Sequence, residues 1–296
     1  MTTAIVVTHN SSAWIRRCIA ALDGIPVIVV DNASTDGTVS LAEDARPGVH
    51  LIRRKVNGGF AVAVNQALAR TEGDVLLVNP DVIVDRDGVA SLERYLAAYP
   101  HVGVVVPVLQ YPDGRLQESI RTFPSPLTLL ARRSPFGRTA LGRRLLHVHI
   151  LQAADLTKSR PIEWAIGAVL MLRREAVSQV GGFDEGFFLY GEDVDLCHRL
   201  WSADWEVHVE PGAAFEHEYV RSSRRTLDVR SRTTRLHWAS ILRLFWRHPG
   251  LLVGRKPRRS TLAIERWRDT IGGRATSLSD DSADRQPGST PSDDGT

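Results

Sequence analysis

Short runs of β-branched residues alternate with amphipathic stretches through the first hundred positions of this 296-residue chain. AIVVT (4–8), PVIVVD (26–31), VHLIRR (49–54), DVLLVN (74–79) and VGVVVPVL (102–109) predict strands. Between them, 11–22, 37–45, 60–70 and 86–99 carry apolar positions at helical spacing. Within the strands Val, Ile and Leu follow one another almost without a polar break, so both faces are expected to be buried, as in a parallel sheet covered by helices. The alternation predicts a Rossmann-like α/β fold of nucleotide-binding type. The GxGxxG fingerprint of dinucleotide folds is missing after the first strand, where VTHNSSAWI stands, and this argues against an NAD enzyme.

Beyond residue 110 the pattern loosens. YPDGR (111–115) predicts a turn between two short strands, whereas 120–160 is rich in Arg, broken by Pro, and yields no clear element. Order returns with EWAIGAVLMLRR (163–174), read as one buried strand, then a helix over 192–203 and a strand at WEVHVE (205–210). The expected organisation is an α/β domain over 1–220, a basic helical extension over 221–275, and a tail over 276–296 with too few apolar residues to fold.

Composition fits a globular protein: 43% hydrophobic and 24% charged residues, with no apolar run of the roughly 18 residues that a membrane span needs. Met1 to Thr8 runs straight into a strand pattern rather than an export signal, and Cys18 and Cys197 fall in predicted helices. A cytoplasmic protein is expected. Charge is unevenly placed, with 21 Lys and Arg against 26 Asp and Glu over 1–220, 15 against 3 over 221–275, and 1 against 5 over 276–296. A basic block of this kind suits an anionic partner: nucleic acid, phospholipid headgroups or a phosphorylated substrate. Within it, Trp238, Ile241, Leu242 and Phe245 fall on one helical face and Arg243 and Arg247 lie away from it. Such a helix over 235–259 would sit at the inner face of a membrane, or pack its stripe on the catalytic domain.

In open parallel sheets, ligands bind at the carboxyl ends of the strands, and here those ends are polar. They carry Thr8, His9 and Asn10; Asp31, Asn32, Ser34 and Asp36; and Asn79, Pro80 and Asp81. Each alone reads as a capped β-to-α turn, and it is their convergence that marks a site. DNASTDGT is not a calcium loop, because Ala33 stands where an oxygen ligand is needed. Asp81 can hold Mg²⁺ or Mn²⁺ beside a diphosphate, and His217 can supply a further ligand. GGFDEGFFLYGEDVDLCHRL (181–200) collects Asp184, Glu185, Glu192, Asp193 and Asp195 around Phe187, Phe188, Leu189 and Tyr190. A carboxylate against apolar walls is a candidate general base, although acids in a first helical turn also suit the helix dipole.

Taken together, TxN at 8–10, DNxSxDGT at 31–38, NGGFAxAxN at 57–65, NPD at 79–81 and GGFDExFFxYxEDVDLCxR at 181–199 resemble the family 2 glycosyltransferases of the GT-A fold over residues 3–220, and bacterial rhamnosyltransferases in particular. The resemblance implies a Rossmann-like, mostly parallel central sheet flanked by helices, with a C-terminal helical extension. It implies donor contacts from Thr8, Asn10, Asp31, Asn32, Asp36, Asn57, Gly59, Phe60, Asn65 and Asn79. Asp81 falls where the family's DxD motif binds metal, with Asn79 replacing the first acid, and His217 matches a histidine that completes that site. Asp193 takes the place of the catalytic base, with Trp164, Gly167, Tyr190 and Glu192 on the acceptor side and Asp195 paired with Arg199 on the helix surface. The implied chemistry is inverting, metal-dependent transfer of one sugar from a nucleotide-diphosphate donor, dTDP-rhamnose being one candidate, to a glycan or polyprenyl-diphosphate-linked acceptor of the cell envelope. The QxxRW motif of processive synthases is missing, because 221–235 reads RSSRRTLDVRSRTTR. Two other readings are a nucleotidyltransferase, which wants a Gly-rich basic loop after strand one, and a nucleic-acid-binding protein using 221–275.

Overall fold

Continuous β-branched runs need partners on both edges and cover on both faces, and the chain finds them in one nine-stranded sheet. The computed structural model describes residues 1–150, 156–218 and 232–280. Its first half is β1 (Thr3–Thr8), α1 (Ile15–Ala21), β2 (Val27–Asp31), α2 (Thr38–Ala45), β3 (His50–Arg53), α3 (Phe60–Leu68), β4 (Val75–Val78), β5 (Val82–Ile83), α4 (Arg86–Ala98) and β6 (Val102–Gln110). Then come β7 (Ile120–Arg121), α5 (Pro126–Arg133), α6 (Ala140–His149), β8 (Arg160–Pro161), β9 (Trp164–Ala165), β10 (Val169–Leu172), α7 (Arg174–Gln179), α8 (Glu192–Ser202), β11 (Glu206–His217), α9 (Arg232–Arg247) and α10 (Arg258–Asp280).

The sheet order is β3-β2-β1-β4-β10-β6-β11-β5, with β8 on β11. β1 to β4 are parallel, β10 inserts antiparallel between β4 and β6, and β6 runs parallel to β11. The carboxyl ends of β1, β2, β4, β6 and β11 therefore share one edge. Helices α1, α2 and α4 bury one face around Ile5's neighbours Ala4 and Val6, while α3, α7 and α8 bury the other. Trp201 of α8 is fully enclosed and gives its indole N–H to the carbonyls of Ile162 (3.2 Å) and Glu163 (3.0 Å).

Two parts differ from the sequence expectation. The apolar run 163–174 is not one strand. It splits into β9, which pairs with β7 in a small second sheet, and β10, which pairs in the large one. Apolar continuity cannot distinguish one strand from two with a corner between, and here the corner is Gly167–Ala168. The stretch 120–160 contains α5, started by a Ser125–Thr128 capping box with Pro126 at its first turn, and α6, capped by Thr139.

The basic extension packs on the α8 face, where Leu244, Leu251 and Ala263 join the core. The boundary near 220 and the tail beyond 280 lie outside the described residues. The stripe of α9 is turned from the expected one. Arg243 and Arg247 face the body, and Trp238, Leu242 and Trp246 face outward. Arg243 makes a bidentate pair with Asp184 (2.7 and 3.0 Å), and Arg247 reaches both Asp184 (3.1 Å) and Asp195 (3.2 Å). Asp195 is not on the helix surface: it is fully buried, held by Arg199 (2.7 Å), Arg247 and His248 (2.8 Å). Carboxylates drawn from 50 residues away decide the rotation of α9, which is why its own sequence could not.

Removing one partner of a buried ion pair strands the other charge. Asp195→Ala, which leaves Arg199, Arg247 and His248 without their common acceptor, is expected to lower unfolding free energy by about 3–5 kcal/mol, measured by urea denaturation.

Candidate active site

The loops after β1 and β2 are stitched to one another. The Asn10 N–H donates to Ser34 Oγ (2.9 Å), and Asn10 Oδ1 accepts from Thr35 N–H (2.8 Å) with the backbone of Asn10 at φ 52°. Asp36 accepts from the Ser12 and Thr38 amides and the Thr38 hydroxyl. Its small desolvation works against ionisation, but these hydrogen bonds prevail and bring its carboxyl down to about 2. Asp31, buried at the end of β2, accepts from the Ser34 amide (3.2 Å). Thr8 is buried at the end of β1 with its hydroxyl lacking a protein partner.

A third loop closes on these. Asn32 clasps it from both ends of its amide, donating to the Gly59 carbonyl (3.0 Å) and accepting from the Gly58 amide (3.2 Å). Asn57 accepts from the Gly59 amide (3.0 Å), and the Phe60 amide donates to the Phe188 carbonyl (3.2 Å). Gly59 has φ 92°, and a Cβ there would stand 2.7 Å from that same carbonyl, so no side chain fits. Asn65 bolts α3 to the acidic segment: its amide donates to the Phe183 carbonyl (2.8 Å) and Glu185 (3.0 Å) and accepts from the Phe183 amide (2.9 Å). Gly59, Phe60 and Asn65 fasten this third loop and α3 to the segment that carries the acids.

In that segment Tyr190 (φ 67°) and Gly191 (φ 91°) turn the chain sharply so that Glu192 opens α8. Asp193 Oδ1 accepts from its neighbour's amide at Val194 (2.8 Å), and Oδ2 from Gly167 N–H (3.1 Å). The next residue, Ala168, accepts from the Asn79 amide (2.8 Å) at the end of β4. One dipeptide therefore ties Asp193 to the NPD turn. Glu192 is buried with Oε2 unpartnered; burial, then the charge of Asp193, pushes its carboxyl up to about 8. Burial also raises Asp193, against the pull of its two amide donors and of Arg121. The two carboxyls are adjacent and each opposes ionisation of the other, so the pair binds a proton more tightly than two separate acids. Trp164 is buried and donates its indole N–H to the Thr122 carbonyl (2.7 Å), with the Arg121 guanidinium over its ring (5.5 Å). It supports Arg121 from behind rather than presenting an open face to an acceptor.

Asp81 and His217 come together, with Oδ2 to Nε2 at 3.4 Å. Gln117 sets the tautomer. Its amide nitrogen faces the carbonyls of His217 (2.6 Å) and Gln110 (3.3 Å), so its oxygen faces His217 Nδ1 (2.8 Å) and Nδ1 carries the proton. In the neutral imidazole Nε2 then points its lone pair toward a carboxylate oxygen. Two acceptors at this distance are relieved by a cation or proton between them, and a buried imidazole oriented by a neighbour is the usual partner of a metal-binding carboxylate. The donor set fits Mg²⁺ or Mn²⁺ with its remaining positions open to diphosphate oxygens and water. His101, Glu206 and His208 form the one group of three potential metal ligands among the described residues, but at the opposite end of β11. Arg259 and Arg266 approach Glu206 there (3.5 and 3.6 Å), which disfavours a cation.

Gln117, Arg121 and His248 were not foreseen. Gln117 and Arg121 follow the YPDGR turn, whose reversal was the available signal that this strand returns along β6 toward the site. His248 carries no local signal.

The mixed sheet, with its polar strand ends gathered at one carboxyl edge beside Asp81 and His217, has the architecture of the GT-A glycosyltransferases. The family model of glycosyl transferase family 2 matches residues 3–180, and that of glycosyl transferase family group 2 matches 128–264. The chain belongs to glycosyl transferase family 2. It is 32% identical over 265 residues to the N-acetylglucosaminyl-diphospho-decaprenol L-rhamnosyltransferase of Mycobacterium tuberculosis, covering 83% of this chain and 84% of the relative. It is 24% identical to rhamnosyltransferase WbbL of Escherichia coli, covering 70% and 79%. Its fold matches the crystal structure of GalNAc-T7 with UDP, GalNAc and Mn²⁺ at TM-score 0.60 and 14% identity, covering 86% of this chain and 51% of that one.

In the folded protein Glu192 holds its proton more tightly than in the unfolded chain, so its contribution to stability is full below its ordinary value and is lost as pH rises toward about 8. Glu192→Gln is expected to gain Tm relative to the parent between about pH 5 and about pH 9. Parallel Tm profiles for the two proteins would contradict a buried acid at this position.

Proposed function

We propose that this glycosyltransferase moves a single sugar, with inversion, from a nucleoside diphosphate donor to a hydroxyl of a lipid-linked glycan precursor, using Asp193 as base. The observation that carries this reading is the Gly167–Ala168 corner, which joins the carboxylate at the head of α8 to the turn bearing Asp81. Both relatives described above are rhamnosyltransferases by name, which supports rhamnose as the sugar, and the mycobacterial name supports a polyprenyl-diphosphate-linked acceptor. UDP and Mn²⁺ in GalNAc-T7 support a nucleoside diphosphate with a divalent metal. Work on such an acceptor fits a protein of the inner membrane face; no helix among the described residues is long and apolar enough to cross a membrane. We assign residues 1–220 to catalysis and 221–275 to support of that domain.

The acceptor hydroxyl gives its proton to Asp193 as its oxygen attacks the anomeric carbon. The bond from that carbon to the diphosphate oxygen breaks on the opposite face, and the bonding pair leaves with the nucleoside diphosphate. No protein nucleophile is required, so configuration inverts once. Burial makes Asp193 a stronger base than an exposed aspartate, and the amides of Gly167 and Val194 aim it. Thr8, Asn10, Asp31, Asn32, Asp36, Asn57 and Asn79 line the strand ends where base, ribose and phosphates would lie. Asp81 and His217 would hold Mg²⁺ or Mn²⁺, which when bound neutralises charge on the leaving diphosphate. Tyr190 and Glu192 stand on the acceptor side of Asp193.

Asp193→Asn is expected to lower turnover by about 10²–10⁴ while leaving nucleotide affinity within a few fold by calorimetry. A variant with parental turnover would remove Asp193 as base. Because a base works only when ionised, turnover should fall as pH drops through the raised value of Asp193, and this limb should be absent in Asp193→Asn. In thermal-shift measurements with dTDP or UDP, Mn²⁺ should add stabilisation to the parent and none to His217→Ala. Full activity in excess chelator would exclude the metal.

A further inference from the structure

The outward face of α9 is apolar where the inward face is charged. Leu242 is 70% exposed and Trp246 76%, with Trp238 on the same stripe, and Val253 just beyond the helix is 72% exposed. Leu242, Trp246 and Val253 are left largely uncovered where they stand. α5 and α6 adjoin this stripe. The Arg133 guanidinium of α5 lies 4.8 Å from the Trp238 ring, and Thr128, Val148 and Leu251 line one cavity of about 180 Å³ between α5, α6 and the turn after α9. Leu130 of α5 and Leu141 of α6 are also exposed.

Charge identifies the occupant. No acid occurs between Glu118 and Asp155, a span that holds six arginines, and none between Asp228 and Glu265. Arg243 and Arg247 face inward, and exposed cations stand at Arg235 on α9 itself, at Arg255 and Arg258 after it, and at Arg132, Arg138, Arg143 and Arg144 in the α5–α6 region. Exposed tryptophans beside arginines, on segments whose own sequence carries no acid, match the interface of an anionic bilayer, where indoles sit at headgroup depth and each cation adds attraction. A second copy would set one cationic face against another.

We infer that α9 with α5 and α6 forms a membrane-docking face that lays Trp238, Leu242 and Trp246 into the headgroup layer of an anionic bilayer, with Arg138, Arg143 and Arg144 on its phosphates. This builds on the lipid-linked acceptor proposed above and specifies the surface that meets the lipid. The site mouth adjoins that face: the Tyr190 ring lies 5.0 Å from His237, the residue before Trp238. A sugar on a lipid diphosphate would then meet Asp193 without leaving the bilayer surface.

The full-length protein should sediment with vesicles of 30% phosphatidylglycerol in phosphatidylcholine and bind pure phosphatidylcholine much more weakly. Trp238→Glu/Trp246→Glu should lose at least tenfold in partitioning, and Arg143→Gln/Arg144→Gln about fivefold per arginine. Tm and nucleotide binding of both variants should stay at the parental level, which separates lost docking from lost folding. Vesicle binding needs neither donor nor acceptor, so its failure leaves sugar transfer standing, and failure of transfer leaves docking standing. Parent protein that stays in the supernatant with anionic vesicles, or the double tryptophan variant binding as well as the parent, would overturn the inference. So would a parent dimer, seen by sedimentation velocity, that the tryptophan variant dissolves while neither protein binds vesicles.

Discussion

The corner at Gly167–Ala168 is the constraint on which the site depends. There the chain passes from the small sheet to the large one, and in two residues it donates to Asp193 and accepts from Asn79. Asp193 is thereby placed relative to strand ends that belong to a different part of the sheet. Two hydrogen bonds fix this relation, one from a backbone amide to the short Asp193 side chain and one between backbones, and neither depends on a long side chain with rotamers to lose. β10, inserted antiparallel between β4 and β6, keeps the corner at the carboxyl edge where the ligand loops lie.

Four of the five carboxylates between Asp184 and Asp195 divide into two kinds by their surroundings. Burial works against ionisation of Asp184 and Asp195, but arginines and His248 outweigh it and hold both below the ordinary range. Glu192 and Asp193 lack such partners, and burial drives them upward. The first pair fastens α9 to the body, and the second is left with a proton to hold and a proton to take. Carboxylates whose environments push their affinities apart are the usual sign of a working acid–base site.

Most of the sheet and the polar strand ends were legible in the sequence because each depends on a local pattern. Thr3–Thr8, Val27–Asp31 and Val75–Val78 are apolar runs of the right length, and the polar residues after them follow directly. The parts that were not legible are set by distant partners. The run 163–174 reads as one strand because apolarity is continuous through a corner that only pairing with β7 reveals. Gln117 acquires its meaning from His217, 100 residues on. The face of α9 was misjudged because amphipathicity assumes that apolar residues turn inward. Here buried carboxylates attract the arginines more strongly than the core attracts tryptophan.

That reversal ties the extension to the proposed base. Without Arg243, Arg247 and His248, Asp184 would lose its ion pairs and Asp195 would keep only Arg199, in the segment that carries Asp193. Their potential would raise the proton affinity of Asp193 further and work against the ionised form that the proposed base needs. The basic helices therefore do more than cover apolar surface such as the seat of Leu244. By neutralising the structural acids from one side, they leave the charge of the segment concentrated on Asp193, and by turning their indoles outward they set that charge beside the surface from which the acceptor would come.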